Sequence, residues 1–319
     1  MLAISKSDIP KFLESLIKEG FEVIAPVKTK DGTNFEVIED GDEACLDYVN
    51  TSHPPKKFFL PDGETLFTYD LKKFKIKEVV GKKRRVLFGL RPCDLHGLLR
   101  LDMVFKKDPY YMQRRKNTII IAIECSEPGK NCFCESMGTN KVKTGYDLLL
   151  SEVKNFYKLE SYSKRGKTFL KYFKRYRTLK PKKLKNLRKF DSKNIERRIL
   201  KIFNHKKWGE IASKCLSCGA CNVVCPTCYC FSVSDEVSFE ETSGERKRFW
   251  SFCMLQEFSR VAGDVIFRRT REERCKQFVF HKLSYFKESY GKHLCVGCGR
   301  CIDICPAGID FFKEVEGML

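Results

Sequence analysis

Two runs of cysteines carry the clearest chemical signal in the sequence. The first, CLSCGACNVVCPTCYC, begins at Cys215, and a shorter run, CVGCGRCIDIC, begins at Cys295. Each run has three cysteines with two residues between them, a fourth cysteine after three more residues, and then a proline. This C-x2-C-x2-C-x3-C-P spacing is typical of paired [4Fe–4S] sites. One run alone could bind zinc, but two complete copies favour two iron–sulfur cubanes.

The spacing also predicts which thiolates share a cluster. Three cysteines at these intervals wrap one corner of a cubane, and the fourth points away and binds the other cluster. We therefore expect the two runs to exchange their last cysteines. The predicted ligands of the first cluster are Cys215, Cys218, Cys221 and Cys305. The predicted ligands of the second cluster are Cys295, Cys298, Cys301 and Cys225.

Several cysteines are left over after this assignment. Cys228 and Cys230 could be ligands, could shape the hydrogen bonds around the second cluster, or could be small buried side chains. Because both cubanes already have four cysteines, the sequence favours a role other than ligation. Isolated cysteines, which we expect to be buried or inert, are Cys45, Cys253 and Cys275.

A further group of cysteines follows two predicted strands in the N-terminal half. Residues 84–90 and 117–125 are rich in apolar residues, which predicts buried strands, and Asp94 is expected to cap the helix after the first strand. If these strands are parallel neighbours, their carboxyl ends lie at one edge of the sheet, where α/β proteins bind ligands. The cysteines predicted to meet there are Cys93, Cys125, Cys132 and Cys134. A third [4Fe–4S] cluster, a zinc ion and four ordinary buried cysteines all remain open from spacing alone.

The elements that must position these cysteines indicate an α+β protein. We predict an α/β domain with an extra Fe–S site over residues 1–160, and a basic linker or helical segment over residues 161–205. Residues 206–319 predict an all-helical, two-cluster ferredoxin domain. That prediction depends on apolar residues at helical spacing, namely Phe252, Leu255, Phe258 and Val261, followed by Phe278 and Phe280.

Composition restricts the location and the partners of the chain. The longest apolar run is too short for a bilayer and charges interrupt the N-terminal apolar segments, so we expect a cytoplasmic protein with no membrane partner. Seventeen cysteines in a reducing compartment favour metal ligation over disulfides.

The net charge of +20 is concentrated in one stretch of the chain. Residues 151–210 hold 21 Lys/Arg and 5 Asp/Glu, a local net charge of 21 − 5 = +16. The stretch could bind nucleic acid or anionic lipid, or it could be a solvated linker or a docking surface for an acidic partner protein. It has no Gly-Arg repeats and no zinc-finger spacing, which favours the second interpretation and makes nucleic acid an unexpected partner.

Motifs for substrate chemistry are missing from the sequence. We find no G-x-G-x-x-G after a strand, no G-x4-G-K-[ST] and no G-x-S-x-G elbow. The chain therefore has predicted electron carriers and no predicted catalytic acid, base or nucleophile. We expect an electron-transfer component of a larger enzyme.

The stretches GLRPCDLHGL, ECSEPGKNCFCESMGT, CPTCYCF and CVGCGRCIDICPAGID together resemble two groups of iron–sulfur proteins. These are the beta subunit of sulfhydrogenase-type [NiFe] hydrogenases and the iron–sulfur subunit of anaerobic sulfite reductase. The resemblance implies two [4Fe–4S] clusters and supports a third metal site at Cys93, Cys125, Cys132 and Cys134. It also implies two partners: a flavin subunit that handles NAD(P)H, and a catalytic subunit that is a [NiFe] hydrogenase or a sirohaem sulfite reductase.

Two other functions compete with that of an electron-transfer subunit. The chain could be an iron–sulfur nucleic-acid-binding or sensor protein that uses residues 151–210 on phosphates. It could also be a stand-alone reductase in which an open cluster site binds substrate, for which the N-terminal site would be the place.

Overall fold

A computed structural model describes residues 2–176 and 188–319, which form fourteen strands and eleven α-helices. The strands are β1 (Leu2–Ser5), β2 (Glu22–Thr29), β3 (Gly32–Ile38), β4 (Glu64–Asp70), β5 (Lys75–Glu78), β6 (Arg85–Leu90), β7 (Thr118–Ile123), β8 (Leu148–Val153), β9 (Phe156–Ser161), β10 (Lys174–Arg175), β11 (Phe231–Val237), β12 (Ser243–Trp250), β13 (Arg260–Val261) and β14 (Val265–Ile266). The helices are α1 (Ile9–Lys18), α2 (Pro92–Val104), α3 (Pro109–Asn117), α4 (Lys164–Lys167), α5 (Ile195–Arg198), α6 (Lys207–Lys214), α7 (Ala220–Val223), α8 (Arg271–Phe280), α9 (Phe286–Tyr290), α10 (Arg300–Asp303) and α11 (Phe311–Glu316).

The N-terminal half is built on an eight-stranded sheet with the order β10-β1-β9-β8-β7-β6-β2-β3. Its central strands β2, β6, β7 and β8 are parallel, and all six residues of β7 are buried. Helix α1 contributes Phe12 and Leu16 to the core on one face, and Leu95 and Tyr111 of α2 and α3 lie in the core on the other. Because both faces are covered, each of these strands has a run of consecutive apolar residues rather than an alternating pattern.

The parallel pairing of β6 and β7 confirms the prediction that their carboxyl ends share one edge of the sheet. Cys93 lies in the first turn of α2, directly after β6, and Cys125 follows β7 by two residues. The α/β architecture therefore brings two distant parts of the sequence to the same edge.

The C-terminal part is mixed, and its predicted all-helical character is not confirmed. Strands β11 and β12 form an antiparallel hairpin that pairs through β12 with β4, in a sheet with the order β11-β12-β4-β5. Phe252 and Leu255 lie in the irregular chain after β12, Phe258 lies on the three-residue 3-10 helix Glu257–Ser259, and Val261 lies in β13, so the four do not share one helix. The helical prediction for Phe278 and Phe280 is confirmed, since both are buried in α8.

The helices of the C-terminal part surround their own apolar core, which includes Trp208, Phe280 and Phe312. Helix α8 continues into α9 through a π-helical turn, His281–Tyr285. In the described ranges no helix is both long enough and apolar enough to cross a membrane.

The predicted boundaries near residues 160 and 205 stay predictions. The most basic part of the predicted linker, residues 177–187, lies outside the described residues.

Candidate metal centres

The two cysteine runs adopt the same backbone conformation. In the first run Ser217 and Gly219 have positive φ angles of 53° and 77°, and at the matching positions Gly297 and Gly299 have φ angles of 66° and 79°. The short helices α7 and α10 begin directly after the second of these residues. The residues in the left-handed conformation therefore fold each run into a concave loop. Gly adopts this conformation at little energetic cost.

The first run lines a small cavity, which we call the first cradle. Its lining includes all four predicted ligands of the first cluster: Cys215, Cys218, Cys221 and Cys305. Apolar side chains complete the wall, among them Met254, Ile309 and Phe311. The last cysteine of the second run thus lines the same cavity as the first three cysteines of the first run.

Hydrogen-bond donors surround the sulfurs of the first cradle. The backbone N–H of Ser217 lies 3.4 Å from Cys215 Sγ, and that of Ile309 lies 3.3 Å from Cys305 Sγ. A hydrogen bond from the Cys275 thiol lowers the pKa of Cys215, against the opposing effect of burial. Burial raises the pKa of Cys221. Cys275, which we expected to be inert, therefore has a partner in this site.

The second run lines another small cavity, which we call the second cradle. Its lining includes Cys225, Cys295, Cys298 and Cys301, which are the predicted ligands of the second cluster. Phe133 from the N-terminal half and Phe312 of α11 also line it. The backbone carbonyl of Gly297 accepts a 2.8 Å hydrogen bond from the N–H of Phe133, so the two halves of the chain meet at this cradle.

A buried lysine reaches into the second cradle. Lys282 lies on the π-helical turn, is 5% exposed, and donates from Nζ to Cys225 Sγ at 3.0 Å. Burial alone would raise the pKa of the Cys225 thiol, but the Lys282 and Lys56 ammonium groups and a hydrogen bond with Thr227 together outweigh that effect, and the pKa is lowered. Burial raises the pKa of Cys295 to about 12 and also raises that of Cys298.

The four N-terminal cysteines lie beside the second cradle. Cys93 packs against Val296 and Cys298, and the Cys132 thiol donates to the backbone carbonyl of Cys298 at 3.5 Å. Burial raises the pKa of Cys132 to about 12, and the charges of Cys298, Cys134 and Cys125 act in the same direction. Burial likewise raises the pKa of Cys93, with Cys125 among the groups that add to it. The structure therefore brings the predicted third group into one neighbourhood.

Two buried arginines flank this third group. Arg300 of the second run makes two hydrogen bonds to the Asp94 carboxylate, at 2.6 and 2.8 Å, and also binds Thr51. The prediction that Asp94 caps α2 is wrong. Arg91 occupies the N-cap position, and Asp94 lies inside the helix and pairs with Arg300. Arg91 is 6% exposed, donates to backbone carbonyls, and leaves its Nε without a hydrogen-bond partner among the described residues.

In each cradle the four cysteines are spread around a cavity. In the described part of the chain, no three His, Cys, Asp or Glu side chains form a group that could hold one metal ion. Four cysteines that line one cavity suit a multi-atom cluster, which takes one thiolate at each iron.

Sequence reasoning missed the charged residues of the site. Lys56, Lys282 and Arg300 are all at most 5% exposed. Lys56 and Lys282 contact the first run through tertiary packing, and Arg300 joins the second run to Asp94. Their spacing in the sequence gives no signal. The one local hint is Arg300 itself, a charged residue inside a cysteine motif where the first run has Ala220.

Comparisons with known proteins agree with this geometry. Residues 214–309 match the family model of a 4Fe-4S dicluster domain. Sulfhydrogenase 2 subunit beta of Pyrococcus furiosus is 35% identical over 323 residues, covering 96% of this chain and 95% of that protein. F420-dependent formate dehydrogenase subunit beta of Methanocaldococcus jannaschii is 25% identical over 126 residues, or 40% of this chain and 24% of that protein. No solved structure matches the chain.

Proposed function

Because this chain belongs to the family of sulfhydrogenase beta subunits, we propose that it relays electrons between a flavin subunit that handles NAD(P)H and a catalytic subunit. The family and the dicluster match make it an iron–sulfur electron-transfer protein of the hydrogenase type. What we propose beyond this family assignment is the direction of electron transfer and the identity of both partner subunits. The matched length of the sulfhydrogenase relative favours a hydrogenase catalytic partner over a sirohaem sulfite reductase.

The observation that carries the proposal is the pair of cradles. Each is lined by three cysteines of one run and the last cysteine of the other, as spacing alone predicts. In our proposal the first cluster is held by Cys215, Cys218, Cys221 and Cys305, and the second by Cys295, Cys298, Cys301 and Cys225. Because Cys221 and Cys225 flank the end of α7, the two clusters are neighbours joined by a few bonds of backbone.

A third [4Fe–4S] cluster on Cys93, Cys125, Cys132 and Cys134 is part of the proposal. Arg91 supports it, because this buried guanidinium donates to uncharged backbone carbonyls and a nearby anion would stabilise its charge. The charges of Cys125 and Cys93 act on Arg91. A cluster with four thiolates carries a net negative charge and would supply that anion, as would a zinc ion with four thiolates.

Access to solvent supports an order for the relay. Cys218 is exposed, and its neighbours Leu216 and Ile304 are 62% and 43% exposed. In contrast, Cys225, Cys295 and Cys298 are buried. We propose that one partner docks on the exposed side of the first cradle, and that electrons pass from there to the second cradle and the N-terminal group.

Metal analysis of the full chain, purified without oxygen, tests this proposal. About eight irons per chain support two cubanes, and about twelve support three. If zinc replaces part of that iron, the N-terminal group is a zinc site. A chain with zinc and no iron would contradict the proposal altogether.

The partners are tested by purifying the native assembly under the same conditions. We expect a flavin protein and a nickel-containing catalytic subunit to co-purify with the chain. Weak nucleic-acid binding is also expected, whereas strong binding that falls steeply with salt would favour the sensor interpretation.

A further inference from the structure

Three cysteines outside the proposed clusters meet beside the second cradle. Asn222 is 1% exposed, and its Nδ2 lies 3.6 Å from both Cys228 Sγ and Cys253 Sγ. Cys230 packs against the same side-chain cluster as Cys228. Cys228 also packs with Cys225, a proposed ligand of the second cluster. Two thiols in one side-chain cluster and a third across a shared amide donor are more than isolated buried side chains.

A second buried lysine adjoins this group. Lys56 is 2% exposed and lies 4.3 Å from the centre of the Trp250 ring. Its Nζ donates to the backbone carbonyls of Asn222 and Cys228, at 3.2 and 3.3 Å. None of the ion pairs found between described residues includes Lys56; the negative charges that act on it are those of cysteine thiols. A buried ammonium so placed favours electron-rich sulfur next to it.

We infer that Cys228 and Cys230 form a redox-active dithiol that stores an electron pair beside the second cluster. Oxidation forms one bond between the two sulfurs and releases two electrons and two protons. The clusters that the two cradles would hold would supply the acceptors, for one electron each, and Cys225 would connect the dithiol to the second of them. The protons leave toward solvent past Cys230, which is only half-buried. Reduction runs the same steps backwards.

Such a couple would join two kinds of redox chemistry. Each cluster carries one electron at a time, whereas a dithiol carries two. A flavin or a nicotinamide partner also exchanges electrons in pairs. The dithiol would therefore let the chain hold a pair until the partner accepts it. The inference rests on the proposed function in one respect: it takes the clusters as the electron acceptors.

Differential thiol labelling of the full chain tests the inference. The chain is purified without oxygen, split into dithionite-reduced and mildly oxidised samples, and denatured in N-ethylmaleimide; new thiols are then exposed with a reductant and labelled with iodoacetamide. We expect Cys228 and Cys230 to carry iodoacetamide only in the oxidised sample. N-ethylmaleimide on both residues in both samples would overturn the inference.

A coulometric titration of variants supplies the second measurement. The wild type should take up about two electron equivalents beyond those of its clusters. Cys230→Ser should lose these equivalents and keep its full iron content, and Cys45→Ser, a cysteine outside the group, should keep both. If Cys230→Ser loses iron, the residue is a metal ligand and the dithiol is ruled out. If the wild type holds no iron, the proposed function fails, and the labelling still reports on the dithiol.

Discussion

The two cradles share a backbone and differ in what surrounds it. Both have left-handed residues at the same two positions, and both take three cysteines from one run and one from the other. The first cradle is walled by apolar side chains and exposes Cys218. The second buries most of its sulfurs, receives a hydrogen bond from Lys282, and is covered by a loop of the N-terminal half.

This difference shows that the cysteine motif and the residues packed around it have different roles. The cysteine motif determines which sulfurs meet, and the packing around it determines how charge and solvent act on them. A buried ammonium next to a cluster favours its reduced, more negative state, and so raises its potential. We therefore expect the second cluster to have the higher potential and the first to be the point of exchange with a partner.

The largest effect is expected at Arg300, which stands where the first run has Ala220. Replacing it in the Arg300→Ala variant leaves Asp94 buried without its partner. We expect a loss of about 3–5 kcal/mol in the free energy of unfolding, measured by guanidinium titration. The control is Arg246→Ala, which removes a solvent-exposed pair with Asp235 and should change the free energy of unfolding far less, because water screens the pair. If both variants lost the same free energy of unfolding, the Arg300–Asp94 pair would not stabilise the second cradle more than an exposed pair does.

The next effect is electrostatic and belongs to Lys282. The Lys282→Met variant removes the ammonium that donates to Cys225 Sγ at 3.0 Å. A charge interaction on the order of 3 kcal/mol corresponds to a fall on the order of 100 mV in the potential of the second cluster. Redox titration followed by EPR measures it. Lys214→Met, an exposed lysine next to the first cradle, is the control and should leave both potentials nearly unchanged. If Lys282→Met changed only the potential of the first cluster, Lys282 would act on the first cradle and not on the second.

His281, which precedes Lys282 on the same turn, should make stability depend on pH. Burial lowers its pKa to about 4, and its Nε2 is 2.9 Å from the Tyr229 hydroxyl. The unfolded chain therefore binds more protons between about pH 4 and 6.5, so the free energy of unfolding rises with pH over that window. The slope is at most about 1.4 kcal/mol per pH unit and vanishes above about pH 6.5. His281→Gln should flatten this part of the profile; an unchanged slope would show that another group is responsible.

The smallest effect is expected at the first cradle. In the Cys275→Ala variant, Cys215 loses the thiol that donates a hydrogen bond to it. A hydrogen bond is worth about 1 kcal/mol, so the potential of the first cluster should fall by a few tens of millivolts. Cys45→Ala is the matched control. If Cys275→Ala instead moves the second potential, the two cradles do not tune their clusters separately.

The sequence is informative where the chemistry is local. Three ligands of each cradle fall within seven residues, so their spacing alone predicts the loop that holds them. The parallel strands before Cys93 and Cys125 were also predictable, because a strand buried on both faces is apolar throughout.

The rest depends on packing between distant segments. Lys282 and Arg300 find their partners 57 and 206 residues away, and no pattern in the sequence marks them. The helix that we predicted to include Val261 does not form, because Gly263 and Asp264 make a tight turn between β13 and β14. Their φ angles are 78° and 59°. A Gly-Asp pair between short apolar runs is a hairpin signal, and it could have been recognised.

The exchange of cysteines between the runs is tested most directly by the iron content of double variants. Cys225→Ala and Cys298→Ala line the same cradle, so the double variant should lose about four irons, no more than either single change. Cys218→Ala and Cys225→Ala line different cradles, and together they should lose about eight. If the second pair loses only about four irons and the first pair about eight, each run binds its own cluster and the exchange is wrong.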